Sequence, residues 1–493
     1  MATTAQVTYH EPSLPHLLTL ISFLYLLQVF RAVADRILGA GLLGEIGVGV
    51  VFGPVAGILE VDWETTFVAV GYIGLVIIVF EGGLHLSPQH FLPSLPLATI
   101  SALLGILLPL AFTFALFSAY SYPTLHAFSA GAALASTSLG TTFFVLKTVG
   151  EKEGYDLAGT RIGAILQGAA LIDDVVALVL LSVITALGAG DGGSEGLSWT
   201  IGRPILASVL LAILGPAVAF GPARWLWRRG GVGKSVGKGG ARAELALGVA
   251  VLSGFLAIAY YAGTTMLLGA FLAGVFLYAL PEEGSNVSFS RTYHTHVETL
   301  QTYIFCPLFF GSIGLTIPFL SLWTGRLVWR GIVYAILMTL GKLLVGLTIL
   351  AVDAFASPSP PASPVGPKEL PMSLEPSTKA ERGDGNRQRR SEEGAPATKA
   401  ELLKRETLPA GAFLGIALVA RGEIGVLILQ VAYNSSSSGD GTGSRVLGTE
   451  AYLVALWAVA LCTIVGPVAF SWLAKRFGAS IYRGRWGAQV GEQ

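Results

Sequence analysis

Two adjacent aspartates lie in the middle of an otherwise apolar stretch, GAALIDDVVALVLLS. Asp173 and Asp174 are about halfway along a segment long enough to cross a membrane. An ionisable residue at that depth costs at least about 2.5 kcal/mol on insertion scales, so it needs a partner or a function. Because two like charges this close cannot both ionise cheaply in a low dielectric, their titrations are coupled. A carboxylate that holds either a proton or a hard monovalent cation, but not both, is the minimal device for exchanging one for the other.

One lysine lies within another apolar segment, LMTLGKLLVGLTIL. Lys342 is about a dozen residues from either end of that segment, too far for its ammonium to reach the interface comfortably. A buried ammonium favours a carboxylate partner, and the aspartate pair supplies one. Since neighbouring residues on a helix point about 100° apart, the two carboxylates can face different partners. If Asp173 pairs with Lys342, Asp174 is left to bind the ion.

Two further segments are predicted to be broken helices, ALASTSLGTTFFVL at 133–146 and ALVARGEIGVLIL at 417–429. Ser, Thr and Gly at membrane depth allow a helix to unwind, and the freed backbone groups can coordinate ions or face an opposing helix end. We expect Thr137 and Ser138 to supply neutral oxygens to a cation held by Asp174. For Arg421 and Glu423, a structural or gating role that compensates the helix ends of the second break is favoured over ion binding.

The composition identifies the solvent that surrounds these residues. Of 493 residues, 53% are hydrophobic and 13% are charged, with a formal net charge of zero. A soluble domain averages about 25% charged residues. A neutral chain offers no basic face for nucleic acid, and the two cysteines, Cys306 and Cys462, have neither disulfide-framework nor metal-ligand spacing. The chain is therefore predicted to be a membrane protein.

Thirteen apolar segments are long enough to span a membrane. A helix needs about 20 residues to cross the roughly 30 Å hydrocarbon core. In residue numbers the segments are 15–34, 38–59, 65–84, 95–120, 124–148, 158–188, 202–226, 243–262, 264–281, 296–320, 329–353, 406–433 and 449–474. They predict an all-α polytopic membrane protein of about 13 transmembrane helices, in which a Gly-rich basic loop at 224–242 joins the seventh helix to the eighth.

One internal segment has a different composition. From Ser357 to Lys404 the chain carries eight prolines and no aromatic residue, so it cannot bury enough apolar surface to offset its chain entropy. We therefore predict spans 1–11 in residues 1–353, a disordered cytoplasmic loop at 354–404, spans 12 and 13 in 405–476, and a short cytoplasmic tail at 477–493.

Lys and Arg residues predict the orientation, because cytoplasmic loops carry an excess of them. In the loops on one side only Arg203, Arg326, Arg330 and Arg445 are found, and all other loop Lys and Arg residues are on the opposite side. The C-terminus is therefore predicted to be cytoplasmic.

Short strings of the chain recur in an internal repeat. LLGEIGVGVVFGP at 42–54 is similar to LLGAFLAGVFLYALP at 267–281, with Gly49 matching Gly274, and Gly83 to Pro88 is similar to Gly314 to Pro318. The matched spans are seven apart, and an odd offset places the second copy upside down. The sequence thus predicts the inverted repeats that many secondary transporters have.

Together these strings resemble the monovalent cation:proton antiporter superfamily, in its bacterial-like branch that includes the NhaA-type sodium–proton antiporters. The matching strings are GEIGVGVVFGP (44–54), VFEGGLHLSP (79–88), ALASTSLGTT (133–142), LIDDVVAL (171–178), PLFFGSIGLTI (307–317), GKLLVG (341–346) and RGEIGVLI (421–428). The resemblance implies two crossing broken helices and a six-helix core, made of spans 4–6 and 11–13. This core moves like an elevator past a dimerisation domain of spans 1–3 and 8–10.

The resemblance also implies roles for individual residues. Asp174 matches the family's ion- and proton-binding aspartate, with Thr137 beside it as a ligand of the transported Na⁺. Asp173 occupies the position that is Asp in electrogenic members, and Lys342 matches the lysine that forms a salt bridge with it. Thr137 lies in the unwound part of one crossing helix, and Arg421 to Glu423 in the other.

These features predict a secondary active antiporter and not an enzyme. It would exchange Na⁺, or Li⁺ or K⁺, for H⁺ electrogenically, by competition at the aspartate pair. A K⁺/H⁺ antiporter and a sodium-coupled symporter of an organic anion on the same fold are the alternatives. No cofactor is expected besides the transported ions. The expected partners are membrane lipid and a second copy of the chain in a homodimer, in a plasma or organelle membrane.

Overall fold

The computed structural model of the chain describes residues 11, 13–38, 41–84, 88–138, 142, 146, 157, 159–188, 197–229, 231–281, 287–355, 407–435 and 445–487. The predicted loop at 354–404 therefore lies almost entirely outside the described residues. Among those residues the chain is helical and contains no β-strand.

Sixteen helices organise the described residues. They are α1 Leu14–Leu38, α2 Gly41–Val50, α3 Val61–Leu84, α4 Pro88–Ala119, α5 Thr124–Ala135, α6 Arg161–Gly188, α7 Leu197–Val218, α8 Val232–Ala262, α9 Met266–Ala279, α10 Phe289–His296, α11 Cys306–Thr316, α12 Gly325–Val345, α13 Leu347–Phe355, α14 Leu408–Ala417, α15 Glu423–Asn434 and α16 Thr449–Arg483. Short helical turns extend α2 over Val51–Val55, continue α7 through Ala219–Ala223 to Arg224–Arg229, and connect α10 to α11 over Glu298–Leu300 and Gln301–Phe305.

Within the described part of the chain, eight helical stretches are long and apolar enough to cross a membrane. They contain α1, α3, α4, α6, α7, α8, α12 and α16. Shorter apolar helices, among them Gly41–Val55 and Met266–Ala279, lie between them. The prediction of an all-α, multi-pass membrane protein is confirmed, and the number of 13 spans stays a prediction.

The prediction of a basic loop at 224–242 is wrong for most of that segment. Arg224–Arg229 is helical, and α8 begins at Val232, well before the predicted start of its span. Gly240 has a φ of 59° and kinks α8, a conformation that glycine adopts without the steric cost of a Cβ. The Gly-rich composition therefore marks a bend within a helix as well as the short turn at Gly231, whose φ is 68°.

Most helix contacts fall into two groups. The first group contains α1, α2, α3, α8, α9 and α11, and the second contains α4, α5, α6 and α12 to α16. Between them, α7 contacts α6 of the second group and α8 and α9 of the first. The resemblance predicts a dimerisation domain and a core with these helices, and those two roles stay predictions.

Glycines bring the backbones of the first group together at two crossings. Where α2 crosses α11, a Cβ on Gly49 would clash with the Gly311 carbonyl, and one on Gly314 would clash with α2. Where α9 crosses α3, a Cβ on Gly83 would clash with the α9 backbone, and one on Gly274 would clash with the α3 backbone. In each crossing one member belongs to the first copy of the predicted repeat and the other to the second copy, so the contacts themselves are duplicated.

The duplication extends to a further pair of helices. Gly44 of α2 lies against the carbonyl of Phe30 on α1, and Gly269 of α9 lies in the same way against the carbonyl of Phe255 on α8. In both contacts the glycine also lies close to the Cβ of an alanine one turn after the phenylalanine, Ala34 on α1 or Ala259 on α8. Helices α1, α2 and α3 therefore correspond to α8, α9 and α11.

We predict that Gly314→Ala destabilises the protein because its Cβ would lie too close to the Ile46 carbonyl for any ordinary contact. Overpacking of this kind typically costs about 1–3 kcal/mol, so the melting temperature of the detergent-solubilised protein should fall. Gly254→Ala is the matched control, since nothing lies within 4 Å of the added methyl group and alanine favours a helix. Equal melting temperatures for the two variants would contradict the close crossing.

Candidate ion-binding site

The first predicted break is present at the end of α5. The helix ends at Ala135, and Ser136 has an extended conformation with φ −61° and ψ 148°. The Ser136 hydroxyl donates a hydrogen bond to the Ala133 carbonyl at 3.0 Å, which fixes the side chain on the last turn. The carbonyls of Ala135 and Ser136 are thereby released from the helical pattern and become available to other partners.

The second break separates α14 from α15 and faces the first. Helix α14 ends at Ala417, and Gly422 precedes α15 with an extended backbone. The Ser138 amide donates to the Ala420 carbonyl at 2.9 Å, and the Thr142 hydroxyl reaches the Ala417 carbonyl at 3.3 Å. These contacts give backbone groups of the two breaks hydrogen-bond partners, which irregular backbone at membrane depth requires.

A buried ion pair lies where these breaks meet α6 and α12. The Lys342 ammonium is 2.7 Å from Oδ2 of Asp173, and both side chains are 0% exposed. The Thr137 hydroxyl donates to the same carboxylate oxygen at 2.8 Å and accepts from Lys342 at 3.0 Å. Lys342 also donates to the Ala135 carbonyl at 2.8 Å. Oδ2 of Asp173 therefore accepts from two donors, and the Lys342 ammonium donates to three acceptors.

Gly105 of α4 makes room for this pair. A Cβ at that position would be 3.1 Å from the Lys342 ammonium and 3.6 Å from Oδ2 of Asp173. The second oxygen of Asp173, Oδ1, is buried and has no hydrogen-bond partner among the described residues. The carboxylate thus keeps acceptor capacity beyond its pairing with Lys342.

Asp174 follows Asp173 on α6 and differs from it in exposure. Asp173 is fully buried, whereas Asp174 is only partly buried, as expected for neighbours that point about 100° apart on a helix. The Thr137 hydroxyl, which the sequence assigned to a cation at Asp174, instead contacts Asp173 and Lys342. The roles of Asp174, Thr137 and Ser138 in ion binding stay predictions.

Arg421 is the second cation at this crossing. Its side chain is 0% exposed, and Nη1 donates to the Ser136 carbonyl at 2.7 Å. Arg421 therefore lies against the end of α5, in the first break, and its compensation of the helix ends of its own break stays a prediction. Glu423 begins α15, but its side chain lies outside the described residues.

Both cations serve the carbonyl end of α5, which carries the partial negative charge of the helix dipole. Lys342 donates a hydrogen bond to the carbonyl of Ala135, and Arg421 donates one to the carbonyl of Ser136. The sequence did not predict that these carbonyls accept from the two buried cations, nor that Gly105 makes room for the ion pair. A glycine in the apolar run ALLGILLP was the available signal for that space.

Interrupted helices that face each other near a buried ion pair, in a chain with duplicated helix contacts, are typical of secondary membrane transporters. The chain belongs to one family of that class, the sodium/hydrogen exchanger family, whose transmembrane model matches residues 19–476.

Curated relatives agree with this membership, and a solved structure shares the fold. The chain is 25% identical over 62% of its length, and 74% of the relative's, to the probable Na⁺/H⁺ antiporter GerT of Bacillus cereus. It is 25% identical over 58% of its length, and 67% of the relative's, to a Na⁺/H⁺ antiporter of Enterococcus hirae. The sodium proton antiporter MjNhaP1 of Methanocaldococcus jannaschii has the same fold, with a TM-score of 0.57 at 15% identity over 97% of this chain and 100% of that one.

Removal of Lys342 should destabilise the fold more than removal of the whole pair. We predict that Lys342→Met alone leaves the Asp173 charge buried without its partner, which typically costs about 3–5 kcal/mol. The double variant D173N/K342M should recover much of that loss, because no uncompensated charge remains. Thermal unfolding in detergent measures the stability of both variants. A double variant no more stable than Lys342→Met would mean that the unpaired Asp173 charge does not cause the loss of stability.

Proposed function

We propose that the chain exchanges Na⁺ for H⁺ across a membrane at the Asp173–Asp174 pair. The observation that carries the proposal is the Lys342–Asp173 ion pair, which is held between two facing helix breaks with a less buried carboxylate at the next position. The names of the curated relatives, Na⁺/H⁺ antiporters among them, support the choice of ions.

In this mechanism Asp174 binds a cation and a proton in alternation. A carboxylate beside a cavity can hold only one of the two, so their competition couples the two fluxes. Asp173 alternates between its salt bridge with Lys342 and a proton. When the cation enters, both carboxylates release their protons and Asp173 pairs with Lys342, so more than one proton moves per cation and the exchange is electrogenic.

Alternating access would come from the second group of helices sliding past the first. Support for this elevator motion comes from the division of helix contacts into two groups, with the site inside the second. The first group would form a homodimer, and lipid would cover the remaining apolar faces. The C-terminus would be cytoplasmic, and the loop at 354–404 and the tail at 477–493 would lie on the same side.

Potassium is a second candidate substrate. The chain is 24% identical over 62% of its length, and 71% of the relative's, to the Na⁺/H⁺-K⁺ antiporter GerN of Bacillus cereus, whose name includes both ions. Proton flux measured side by side with Li⁺, Na⁺ and K⁺ decides between the two.

Asp174→Asn should abolish cation-dependent proton flux in proteoliposomes with an imposed pH gradient. The amide keeps the shape of the side chain but cannot carry the charge that a cation or a proton neutralises. Asp62→Asn, at an exposed position in the first turn of α3, is the matched control and should keep wild-type flux. Flux that survives in Asp174→Asn means that the assignment of the site is wrong.

Electrogenic exchange should respond to voltage at equal pH on the two sides. A potential of about 100 mV contributes about 2.3 kcal/mol per elementary charge moved, so it should drive net Na⁺ flux into or out of proteoliposomes according to its sign. Flux that is the same with and without the potential would mean that protons and cations exchange one for one.

A further inference from the structure

A second group of ionisable residues lies outside the exchange site. It contains Glu81 near the end of α3, His294 on α10 and Glu298 one turn after His294. One possible ligand atom from each residue lies within 4.8 Å of those of the other two, and His294 Nδ1 is 2.9 Å from Oε2 of Glu298. The proposed exchange uses none of these side chains.

Tyr293 fixes the position of this group. Its ring is buried, its hydroxyl reaches the Ile77 carbonyl of α3 at 3.5 Å, and its centroid is 6.0 Å from that of Phe80. Packing of Tyr293 against α3 places the next residue, His294, beside Glu81. Helix packing therefore brings His294 and Glu81 together, and Glu298 contacts His294 one turn later.

Gln301 provides an independent indication of a cation. Its side chain is 5% exposed, and Nε2 donates to Oε2 of Glu81 at 2.5 Å. Oε1 is buried and has no hydrogen-bond partner among the described residues, which is costly for an amide oxygen. A half-turn of the amide would bring Oε1 next to the Glu81 carboxylate, where a cation bound between the two oxygens would satisfy both.

We propose that Glu81, His294 and Glu298 form a binding site for a divalent transition metal of the Zn²⁺ type. Zn²⁺ takes imidazole nitrogen and carboxylate oxygen in four-coordinate sites, and the amide oxygen of Gln301 is available as the fourth ligand. The imidazole distinguishes this site from one for Na⁺ or Mg²⁺, which prefer oxygen ligands. The bound metal joins the end of α3 to α10 and to the connection that leads to α11.

The test uses the full chain, purified in detergent and freed of metal with a chelator. Zn²⁺ is titrated calorimetrically, and the melting temperature is measured with and without Zn²⁺. We expect wild-type protein to bind one Zn²⁺ and to melt at a higher temperature in its presence, because a ligand that binds only the folded state stabilises it. His294→Ala should lose at least ten-fold in affinity together with the thermal shift.

His296→Ala is the matched control, since His296 lies two residues away on the same helix, is exposed and is not in the group. It should bind Zn²⁺ like the wild type. Glu81→Gln is a second variant that keeps the shape of the side chain, and it should lose affinity even if His294→Ala fails to fold. Wild-type protein that binds no Zn²⁺, or equal affinity in the His294 and His296 variants, overturns the proposal. Binding is measured without transport, so either outcome leaves the proposed exchange standing.

Discussion

The site depends on one electrostatic constraint, which is that two cations buried at membrane depth must be neutralised without water. Lys342 is neutralised by Asp173 and by the last carbonyl of α5, and Arg421 by the carbonyl of the following residue. A continuous α5 would consume these carbonyls in its own hydrogen bonds. The break in the helix and the two buried cations therefore require each other, and each explains why the other is tolerated in a hydrocarbon environment.

The second break follows from the first. Once the backbone after Ala135 leaves the helix, its amides also need acceptors, and the unwound segment between α14 and α15 provides the carbonyl of Ala420 for one of them. Residues without a bulky side chain allow this approach, since a Cβ on Gly422 would contact Ser138. A backbone hydrogen bond thus joins the two breaks, while Oδ1 of Asp173 has no hydrogen-bond partner among the described residues.

Much of this site could be predicted from the sequence because buried charge is rare. In a chain with only 13% charged residues, Asp173, Asp174 and Lys342 stand out against their apolar neighbours. Ser, Thr and Gly residues marked the first break, and glycines beside Arg421 marked the second. The helical character of the chain followed from apolar segment length alone. The repeat was visible in its glycines, which the structure places at duplicated helix crossings.

The rest could not be predicted, for physical reasons. The residue type shows that Arg421 needs a hydrogen-bond acceptor. It does not show that a backbone carbonyl far away in sequence is that acceptor, because every residue carries a carbonyl and none is marked by its side chain. The Gly-rich run at 224–242 was taken for a loop because helix propensity penalises glycine, whereas tertiary context keeps most of that run helical. The group around Glu81 joins positions far apart in sequence, and no local pattern connects them.

The duplicated crossings have a consequence for the order in which the protein is made. The α2–α11 and α3–α9 crossings each pair a helix of the first copy with one of the second, so α2 and α3 leave the ribosome long before their partners α11 and α9 exist. At about 5–20 residues per second, Gly49 waits roughly ten seconds to a minute for Gly314. During that interval the first copy must remain in the lipid with its glycine faces uncovered, and another newly made copy of the same chain could occupy them.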